Sequence, residues 1–216
     1  SATQSFTVTV GGAANTAPVI TSNGGGASAA LNVAENTTAV TTVTATDLDG
    51  DSLGYSITGG ADAGRFSINP TTGVLSFASA PNHELPTDSG NDNTYEVTVQ
   101  VSDGQGGTDT QTITVTVTNV NEAPSFTSAP VTGGTQGAAY NYTITTTDPD
   151  SGAVLAIDAT TLPAWLSLTD NGDGTATLSG TPGAGEAGPH NVVLRVSDGT
   201  LSATQSFTVT VGGAVN

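Results

Sequence analysis

The chain has 216 residues, with 19 acidic side chains against two basic ones and a formal net charge of −17 at pH 7. This charge excludes nucleic acids and anionic membranes as partners, because their phosphate groups are bound through clusters of Lys and Arg. The absence of Cys excludes disulfides, thiol nucleophiles and thiolate zinc sites. No apolar run approaches the roughly 20 residues of a membrane span, so we expect none in this sequence.

Several segments alternate apolar and polar residues, which is the period of a half-buried β-strand. The clearest are residues 6–10, 95–101 and 113–118, in which Thr often occupies the polar positions. Gly, Asn, Asp and Pro interrupt such segments every ~8–12 residues, as in antiparallel β-sandwiches. The sequence therefore predicts an all-β fold.

The first 15 residues of the chain return at its end. Residues 1–15 and 202–216 differ only at Ala14, which is Val215 in the second copy. Such near identity is typical of a tandem array whose repeat unit is about as long as this chain. We therefore predict that residues 1–15 are the terminal strand and linker of a preceding repeat. We expect residues 1–12 to dock on a sheet edge, in this chain or in a neighbouring molecule, because an unpaired strand exposes its backbone groups.

A weaker internal repeat divides the rest of the chain. Residues 101–124 are similar to residues 196–216, and both segments begin with V-S-D-G. This predicts two related sandwiches, at residues 16–121 and 122–216. Each has about 100 residues, which is enough to bury a modest core and fold alone.

The carboxylates concentrate in turns between the predicted strands, where the same short motifs recur. The motifs are D-x-D-G-D (Asp47, Asp49 and Asp51), D-P-D (Asp148 and Asp150) and V-S-D-G (Asp103 and Asp198). Calcium binds six to eight such oxygen ligands at roughly 2.3–2.6 Å, and clustered carboxylates repel one another without a cation. Asp is also a common turn residue, so each single Asp is open to that interpretation. The recurrence of the D-x-D and V-S-D-G elements in both halves favours calcium for the set.

Residues 16–121 resemble a bacterial cadherin-like repeat. The resemblance is carried by Ala34-Glu-Asn36, Ala45-Thr-Asp-Leu-Asp49, Val101-Ser-Asp103 and the linker Asn119-Val-Asn-Glu-Ala-Pro124. Residues 122–216 resemble a dystroglycan-type cadherin-like (Ig-like) repeat, through Leu162-Pro-Ala-Trp-Leu-Ser-Leu168 and Leu178-Ser-Gly-Thr-Pro182. The resemblance implies two tandem Ig-like or cadherin-like antiparallel β-sandwiches in an elongated arrangement, as in large secreted calcium-dependent bacterial adhesins.

The resemblance also implies a set of calcium ligands, because cadherins hold calcium between consecutive domains. The corresponding residues are Glu35 and Glu84 in the first domain, Asn119, the carbonyl of Val120, Asn121 and Glu122 in the linker, and Asp148, Asp150 and Asp198 in the second domain. A further implied set beside the N-terminal linker consists of Asp47, Asp49, Asp51 and Asp103, with Asn15.

The two linkers differ in acidity. Thr16 stands at the position of Glu122, and Gln136 or one of its neighbours stands where Glu35 does. We therefore expect an asymmetric array, with one calcium-stiffened junction and one looser junction in each repeat.

By resemblance, the chain is a non-enzymatic, calcium-rigidified extender of a large bacterial surface adhesin that serves cell adhesion and biofilm formation. We expect an extracellular monomer, either attached to the cell surface or secreted. Its partners are neighbouring repeats of the same polypeptide, while other parts of the adhesin hold a cell-surface or glycan ligand.

An alternative is a carbohydrate- or protein-binding module of an adhesin or a secreted enzyme. Trp165, the only Trp, or one of Tyr140 and Tyr142 would then face the ligand, although Trp165 also fits the role of a core or domain-edge anchor. A second pair of acids, Asp88 and Asp92, suits either an extra ion or a solvated turn.

Overall fold

The structure, a computed structural model, describes residues 1–8, 12 and 14–213. The chain divides into two compact units, Ser1–Val120 and Asn121–Asn216, called unit 1 and unit 2 below. Both units are built almost entirely of β-strands, which confirms the all-β prediction. Within the described ranges, no helix has the length and apolar character needed to cross a membrane.

In the described part of unit 1 there are nine strands and two short 3-10 turns, at Ser22–Gly24 and Ala63–Arg65. The strands are β1 (Val19–Ile20), β2 (Ser28–Ala34), β3 (Ala39–Thr42), β4 (Ala45–Thr46), β5 (Gly54–Gly59), β6 (Phe66–Ile68), β7 (Val74–Phe77), β8 (Thr94–Ser102) and β9 (Thr108–Thr118). They form a four-stranded sheet in the order β2-β9-β8-β5, a three-stranded sheet β3-β7-β6, and the pair β1-β4. The pair β2 and β9 is parallel, and the others are antiparallel.

The alternation seen in the sequence produces the core of unit 1. Strand β8 buries Tyr95, Val97, Val99 and Val101, while the residues between them are more exposed. Tyr95 also contacts the ring of Phe77 edge to face, with centroids 5.2 Å apart. The even positions of the predicted strand at 95–101 thus lie outward, because successive side chains of a strand point to opposite faces.

Over residues 121–213, unit 2 has eight strands in two four-stranded sheets. The strands are β10 (Ser125–Phe126), β11 (Gly133–Thr135), β12 (Tyr140–Thr147), β13 (Ala156–Thr161), β14 (Leu166–Asp170), β15 (Thr175–Gly180), β16 (Gly188–Ser197) and β17 (Ser202–Gly212). One sheet has the order β10-β12-β15-β14 and the other β11-β17-β16-β13. Strand β11 is parallel to β17, and its place matches that of β2 beside β9 in unit 1.

The N-terminal segment differs from the sequence prediction. Residues Ser1–Val8 form no strand, although the sequence predicts one over residues 6–10, and Phe6 and Val8 are 79% and 81% exposed. Thr9 and Val10, the last two residues of that predicted strand, lie outside the described residues. A β-strand needs a hydrogen-bonded neighbour, and residues 1–8 have none in the described sheets.

Candidate metal centre

The D-x-D-G-D loop of unit 1 follows β4 and folds around the side chain of Asp47. One oxygen of that side chain, Oδ1, accepts hydrogen bonds from the backbone N–H groups of Asp49 (2.9 Å) and Asp51 (3.2 Å). A carboxylate oxygen of each of these three residues lies within 4.8 Å of those of the other two. Local hydrogen bonds between Asp and the backbone two residues on are typical of such turns. The turn therefore gathers three acidic groups on one loop.

Asp103 lies at the same end of unit 1, in the turn between β8 and β9. Its Oδ1 accepts hydrogen bonds from the N–H groups of Gln105 (2.7 Å) and Gly107 (2.9 Å). Its Oδ2 accepts a 2.8 Å hydrogen bond from the amide of Asn15. A side chain at Gly107 would place its Cβ 2.2 Å from Asp103 Oδ2, so this turn closes only around glycine. We call Asp47, Asp49, Asp51 and Asp103 the aspartate set.

The N-terminal linker is attached to the aspartate set by a second contact. The backbone N–H of Thr16 donates a 2.7 Å hydrogen bond to Asp49 Oδ2. Together with the amide of Asn15 on Asp103, this contact holds two consecutive linker residues against acidic side chains. The resemblance implies Asn15 beside these acids, but the backbone contact of Thr16 with Asp49 has no signal in the sequence.

The pKa values of two carboxylates at this end of unit 1, Asp51 and Asp103, shift in opposite directions. Burial raises the pKa of Asp51, and the nearby charges of Asp47, Asp103 and Asp49 raise it further. The hydrogen bond from Asn15 lowers the pKa of Asp103 despite its burial, and the backbone N–H groups of its turn add to that effect. Repulsion at Asp51 is the expected response of carboxylates that share a small volume without a cation.

One buried atom of the aspartate set has no hydrogen-bond partner among the described residues. Asp47 Oδ2 is buried and accepts no hydrogen bond from the described residues. Burying a carboxylate oxygen without a partner is costly, and it is rare in folded proteins. The chain has no Lys to supply a counter-charge, and its two basic side chains are both Arg. This atom is the clearest sign in unit 1 of a position suited to a cation.

Unit 2 repeats this arrangement. Asp148 Oδ1 accepts a 2.9 Å hydrogen bond from the N–H of Asp150, and Asp148 Oδ2 is buried with no hydrogen-bond partner in the described part of the chain. Asp150 Oδ2 accepts a 2.8 Å hydrogen bond from the backbone N–H of Glu122. These contacts match those of Asp47, Asp49 and Thr16 one by one. The same carboxylate oxygen is therefore left without a partner in both units.

Asp198 in unit 2 corresponds to Asp103. Its Oδ2 accepts a 2.8 Å hydrogen bond from the amide of Asn121, and its Oδ1 accepts from the N–H groups of Thr200 (2.6 Å) and Leu201 (2.7 Å). These bonds, that of Asn121 foremost, lower the pKa of Asp198 to about 2. The carboxylate is therefore ionised at any pH near neutrality.

The opposite end of unit 1 carries a pair of glutamates, Glu35 and Glu84. Glu35 follows β2, and its backbone N–H donates a hydrogen bond to the carbonyl of Thr118, the last residue of β9. Strand β9 begins at Thr108, just after the turn that contains Asp103, so Glu35 and Asp103 lie at opposite ends of the unit. Glu35 is 1% exposed. A carboxylate oxygen of Glu84 lies within 4.8 Å of one of Glu35. We call these two residues the glutamate pair.

The glutamate pair is only partly neutralised by its surroundings. Glu35 accepts hydrogen bonds from the backbone N–H groups of His83 (2.7 Å) and Val120 (2.8 Å). Glu84 Oε1 lies 3.3 Å from His83 Nδ1, but Glu84 Oε2 is buried and has no hydrogen-bond partner among the described residues. Like Asp47, Glu84 thus presents an oxygen whose negative charge the protein does not satisfy.

In unit 2, a neutral side chain, Gln136, occupies the position of Glu35. Gln136 follows β11 as Glu35 follows β2, and its N–H donates to the carbonyl of Gly212 at the end of β17. The side-chain amide of Gln136 donates a 2.7 Å hydrogen bond to the carbonyl of Ala184. An amide therefore serves here where unit 1 uses a buried carboxylate. The sequence analysis had named Gln136 or one of its neighbours for this position, and the backbone pairing selects Gln136.

The donor chemistry of these groups fits calcium. Every candidate group offers carboxylate or amide oxygens on turns, which are the hard ligands that calcium takes. The aspartate set and the glutamate pair lie at opposite ends of unit 1, and Asp148, Asp150 and Asp198 form the matching set of unit 2. The buried oxygens of Asp47, Glu84 and Asp148 are the positions at which a cation would satisfy a group that the protein leaves unpaired.

Two of the predicted linker ligands, Asn119 and Val120, have exposed side chains. Val120 is 43% exposed, and its backbone N–H donates a hydrogen bond to Glu35. The predicted role of the Val120 carbonyl stays a prediction. The contacts of His83 and Thr200, whose N–H groups donate hydrogen bonds to Glu35 and Asp198, have no signal in the sequence, because any residue type can supply a backbone donor.

Asp88 is neither solvated nor part of these sets. It is 4% exposed, and it accepts hydrogen bonds from the N–H groups of Gly90, Asp92 and Asn93 at 2.9–3.1 Å. Burial alone would raise its pKa, but the bonds from Asp92, Asn93 and Gly90 lower it overall. The interpretation as a solvated turn is therefore wrong for Asp88, which holds its loop together from inside.

Trp165 packs within unit 2. Its ring lies edge to face with Tyr140 (centroids 5.7 Å apart) and with His190 (5.6 Å), against the core of the unit. Its Nε1 atom is buried. These contacts favour the anchor role over a sugar platform, which needs an open ring face.

Comparison with known proteins assigns a family to each unit. Residues 30–118 match the cadherin domain family, and residues 123–212 match the family described as putative Ig domain (He_PIG). Domains of these two kinds are typically non-enzymatic, and cadherin-like domains are extracellular.

Solved structures agree on the fold. PcdhgB3 EC1-4 is 20% identical with a TM-score of 0.59, and the match covers 92% of this chain and 50% of that one. A fragment titled Protocadherin Gamma B2 extracellular cadherin domains 3-6 is 16% identical with a TM-score of 0.56, over 90% of this chain and 47% of that one. Human Protocadherin-24 EC1-2 is 20% identical with a TM-score of 0.52, over 94% and 100% of the two chains. The chain thus spans about half the length of the first two. It consists of a cadherin domain followed in tandem by a domain of the putative Ig family.

Proposed function

We propose that this chain is a calcium-binding extracellular repeat module, which acts as a calcium-rigidified extender within a large bacterial surface adhesin. Cadherin domains usually bind calcium, and the acidic groups of this chain lie where the resemblance places calcium ligands. The site residues proposed are the aspartate set, the glutamate pair, linker residues 119–122, and Asp148, Asp150 and Asp198.

One observation carries the proposal. Asp47 Oδ2 and Asp148 Oδ2 occupy the same place in two domains of different families, and both are buried without a hydrogen-bond partner in the described structure. A single such atom has several explanations, but its repetition at equivalent positions favours a common cause. Because each lies beside other carboxylates, the group that would satisfy it is a cation.

The linker contacts support the rigidifying role. Within unit 1, Glu35 holds the N–H of Val120, and within unit 2, Asp150 and Asp198 hold Glu122 and Asn121. Each of these carboxylates therefore contacts a linker residue and is also a proposed calcium ligand. Calcium bound to them would restrain the linker, while its removal would leave them to repel one another.

Thermal unfolding with calcium and with a chelator tests the binding. Calcium that binds the folded state stabilises it by about 2.7 kcal/mol at a free concentration 100 times the dissociation constant. Asp47→Asn is expected to reduce this gain in unit 1, and Asp148→Asn in unit 2. Trp165, the single Trp, reports on unit 2, and calorimetry follows both units.

Asp173→Asn is the matched control. Asp173 lies in the turn between β14 and β15, accepts hydrogen bonds from Thr175 alone, and belongs to no acidic cluster. The substitution removes the same charge, so a general effect of net charge would appear in it as well. Equal unfolding temperatures in calcium and in chelator for the wild-type chain would rule out calcium binding.

Small-angle scattering tests the extender role separately. If calcium restrains the linker, the distribution of maximum dimensions is expected to narrow in calcium and broaden in chelator. If calcium stabilises the chain against unfolding but does not change this distribution, the chain binds calcium without acting as an extender. The near-identical segments 1–15 and 202–216 support that role, because a spacer consists of repeated copies rather than a unique site.

A further inference from the structure

Residues 78–93 connect β7 to β8 without forming a strand or a helix. The matching connection in unit 2, between β15 and β16, spans residues 181–187 and is less than half as long. Connections of more than roughly 12–15 residues without secondary structure are uncommon in compact domains, and ordered ones usually serve a function. We call residues 78–93 the long loop.

Hydrogen bonds hold the long loop in one conformation. The buried carboxylate of Asp62 accepts a 2.6 Å hydrogen bond from the N–H of Ser89, and the hydroxyl of Tyr95 accepts one of 3.1 Å from the N–H of Thr87. Asp88 fixes the second half of the loop from inside. A surface that is ordered before a ligand arrives lowers the entropic cost of binding. The long loop therefore offers a preformed surface.

The first half of the long loop encloses a cavity of about 140 Å³, which we call the loop cavity. Phe77 and Tyr95 line it from the core, since they are 3% and 1% exposed, whereas Leu85 in the same lining is 72% exposed. Pockets for drug-sized ligands measure roughly 300–1,000 Å³. The loop cavity therefore suits a single small ring, with apolar surface on one side of it.

Two polar side chains of the loop cavity have no partner in the described structure. Arg65, the residue before β6, makes no hydrogen bond or ion pair through its guanidinium, although the chain has 19 acidic side chains. The other Arg, Arg195, is paired with Asp158. The hydroxyl of Ser79 likewise has no hydrogen-bond partner among the described residues. Asn82 adds a side-chain amide, so the cavity combines an unpaired cation with neutral polar groups.

We propose that the loop cavity binds a sugar unit that carries a carboxylate group, such as a uronate. The guanidinium of Arg65 pairs with the carboxylate through two parallel N–H groups, which is its preferred geometry. Ser79 and Asn82 form hydrogen bonds with ring hydroxyls, and the apolar lining covers the C–H face of the ring. The net charge of −17 opposes anions at long range, so binding depends on this short-range contact.

A sugar fits the loop cavity better than a peptide does. Extended peptides gain affinity by pairing with the backbone of a free strand edge, and the long loop forms no strand. The proposal also does not depend on calcium, because none of the acidic groups proposed as calcium ligands lines the cavity.

Titration of the ¹⁵N-labelled chain with glucuronate, followed by NMR in chelator, tests the proposal. We expect saturable shifts of the backbone N–H signals of Ser79, Asn82, Leu85 and Thr87, and roughly tenfold weaker binding of glucose, which lacks the carboxylate. An oligosaccharide that ends in glucuronate distinguishes a glycan end from the free sugar as the source of the ligand. The proposal is wrong if glucuronate gives no saturable shifts, or gives them in calcium but not in chelator.

Arg65→Met removes the charge that the proposal requires. Because Arg65 is exposed, we expect the fold to be kept and the affinity for glucuronate to fall about tenfold, with Arg65→Lys between the two. Arg195→Met is the matched control, since it changes the net charge equally in unit 2, and it is expected to leave the affinity unchanged. Equal losses in Arg65→Met and Arg195→Met would assign the effect to net charge and overturn the proposal.

Ser79→Ala tests the sugar hydroxyls separately from the carboxylate. We expect it to weaken glucuronate binding about threefold and to leave the binding of acetate, a carboxylate without hydroxyls, unchanged. An acidic peptide that shifts the same four signals with the affinity of glucuronate would show that the cavity reads only a carboxylate, and the assignment to a sugar would then be wrong.

Discussion

The two units share one acidic end and differ at the other. At the shared end, Asp47 and Asp148 each accept a hydrogen bond from the N–H of the residue two positions on, and each has the same unpaired oxygen. At the other end, unit 1 has the buried carboxylate of Glu35, whereas unit 2 has the amide of Gln136 in the equivalent backbone position. The fold therefore requires an acceptor or donor there, but it does not require a charge. The charge of unit 1 is better explained by a ligand than by the architecture.

This difference agrees with the asymmetric array predicted from the sequence. The linker that follows unit 1 begins beside the glutamate pair, since Val120 donates its N–H to Glu35, and Glu122 is the acidic residue of that linker. The equivalent position in the N-terminal linker is Thr16, and the end of unit 2 that corresponds to the glutamate pair has Gln136. The alternation of a calcium-stiffened and a looser junction stays a prediction, and the substitutions below are designed to break or sharpen it.

The largest expected effect is that of Glu35→Ala. It leaves the backbone N–H groups of His83 and Val120 without their acceptor, and each loss of this kind costs about 1–3 kcal/mol. We expect unit 1 to lose about 2–4 kcal/mol of unfolding free energy in chelator, measured by calorimetry. Gln136→Ala is the matched change in unit 2 and is expected to cost about 1 kcal/mol. Equal losses would contradict the distinction between the two ends.

Asp88 provides a pH dependence that is independent of calcium. Its folded-state pKa lies below its unfolded value, so its stabilisation is fully present above the unfolded pKa and is lost as the pH falls through the folded pKa. We expect Asp88→Asn to lower the stability of unit 1 at neutral pH by about 1–2 kcal/mol. The variant is also expected to lose less stability than the wild type between about pH 6 and about pH 3.

Denaturant unfolding in chelator at several pH values checks the effect of Asp88. Glu96→Gln is the control within the same unit, because the Glu96 side chain is exposed on β8. A wild-type chain and an Asp88→Asn variant whose stabilities fall in parallel with pH would show that Asp88 contributes nothing to acid unfolding.

Glu84→Gln removes the charge of this side chain and keeps its size and shape. Because Glu84 Oε2 is buried without a partner, the neutral amide is expected to raise the stability of unit 1 in chelator by about 1 kcal/mol. The same substitution is expected to lower the gain on adding calcium. Calorimetry with and without calcium measures both. A variant that loses stability under both conditions would assign Glu84 a structural role instead.

The smallest effect is expected from exchanging the linker residues. Thr16→Glu introduces beside the aspartate set the acidic residue type that Glu122 has at the equivalent position of the second linker, and the backbone contact of residue 16 with Asp49 is retained. We expect calcium affinity at that end to rise, with a loss below about 1 kcal/mol in chelator from repulsion. Glu122→Thr is expected to do the reverse. Isothermal calorimetry on the pair tests the predicted asymmetry directly, and unchanged affinities in both would remove it.

Much of the fold and part of the candidate site could be predicted from the sequence. The alternation in residues 95–101 predicted β8 and its buried side chains, and the Asp motifs predicted the turns that gather Asp47, Asp49 and Asp51. Both signals are local, because side-chain direction in a strand and Asx turns depend on neighbouring residues. The interpretation of Asp88 as a solvated turn failed because burial depends on the packing of distant segments.

The sequence by itself determined which segments are able to form strands and where oxygen ligands concentrate. Only the tertiary structure decided which of these possibilities is realised. Ser202–Val209 is a strand because β16 lies beside it, whereas the same eight residues at Ser1–Val8 have no partner and form none. Glu35 and His83 likewise meet although they are 48 residues apart, because the fold brings the loop between β7 and β8 to the end of β2. Hydrogen bonds between strands and the burial of a charge both join residues far apart in the chain, so local sequence cannot fix them.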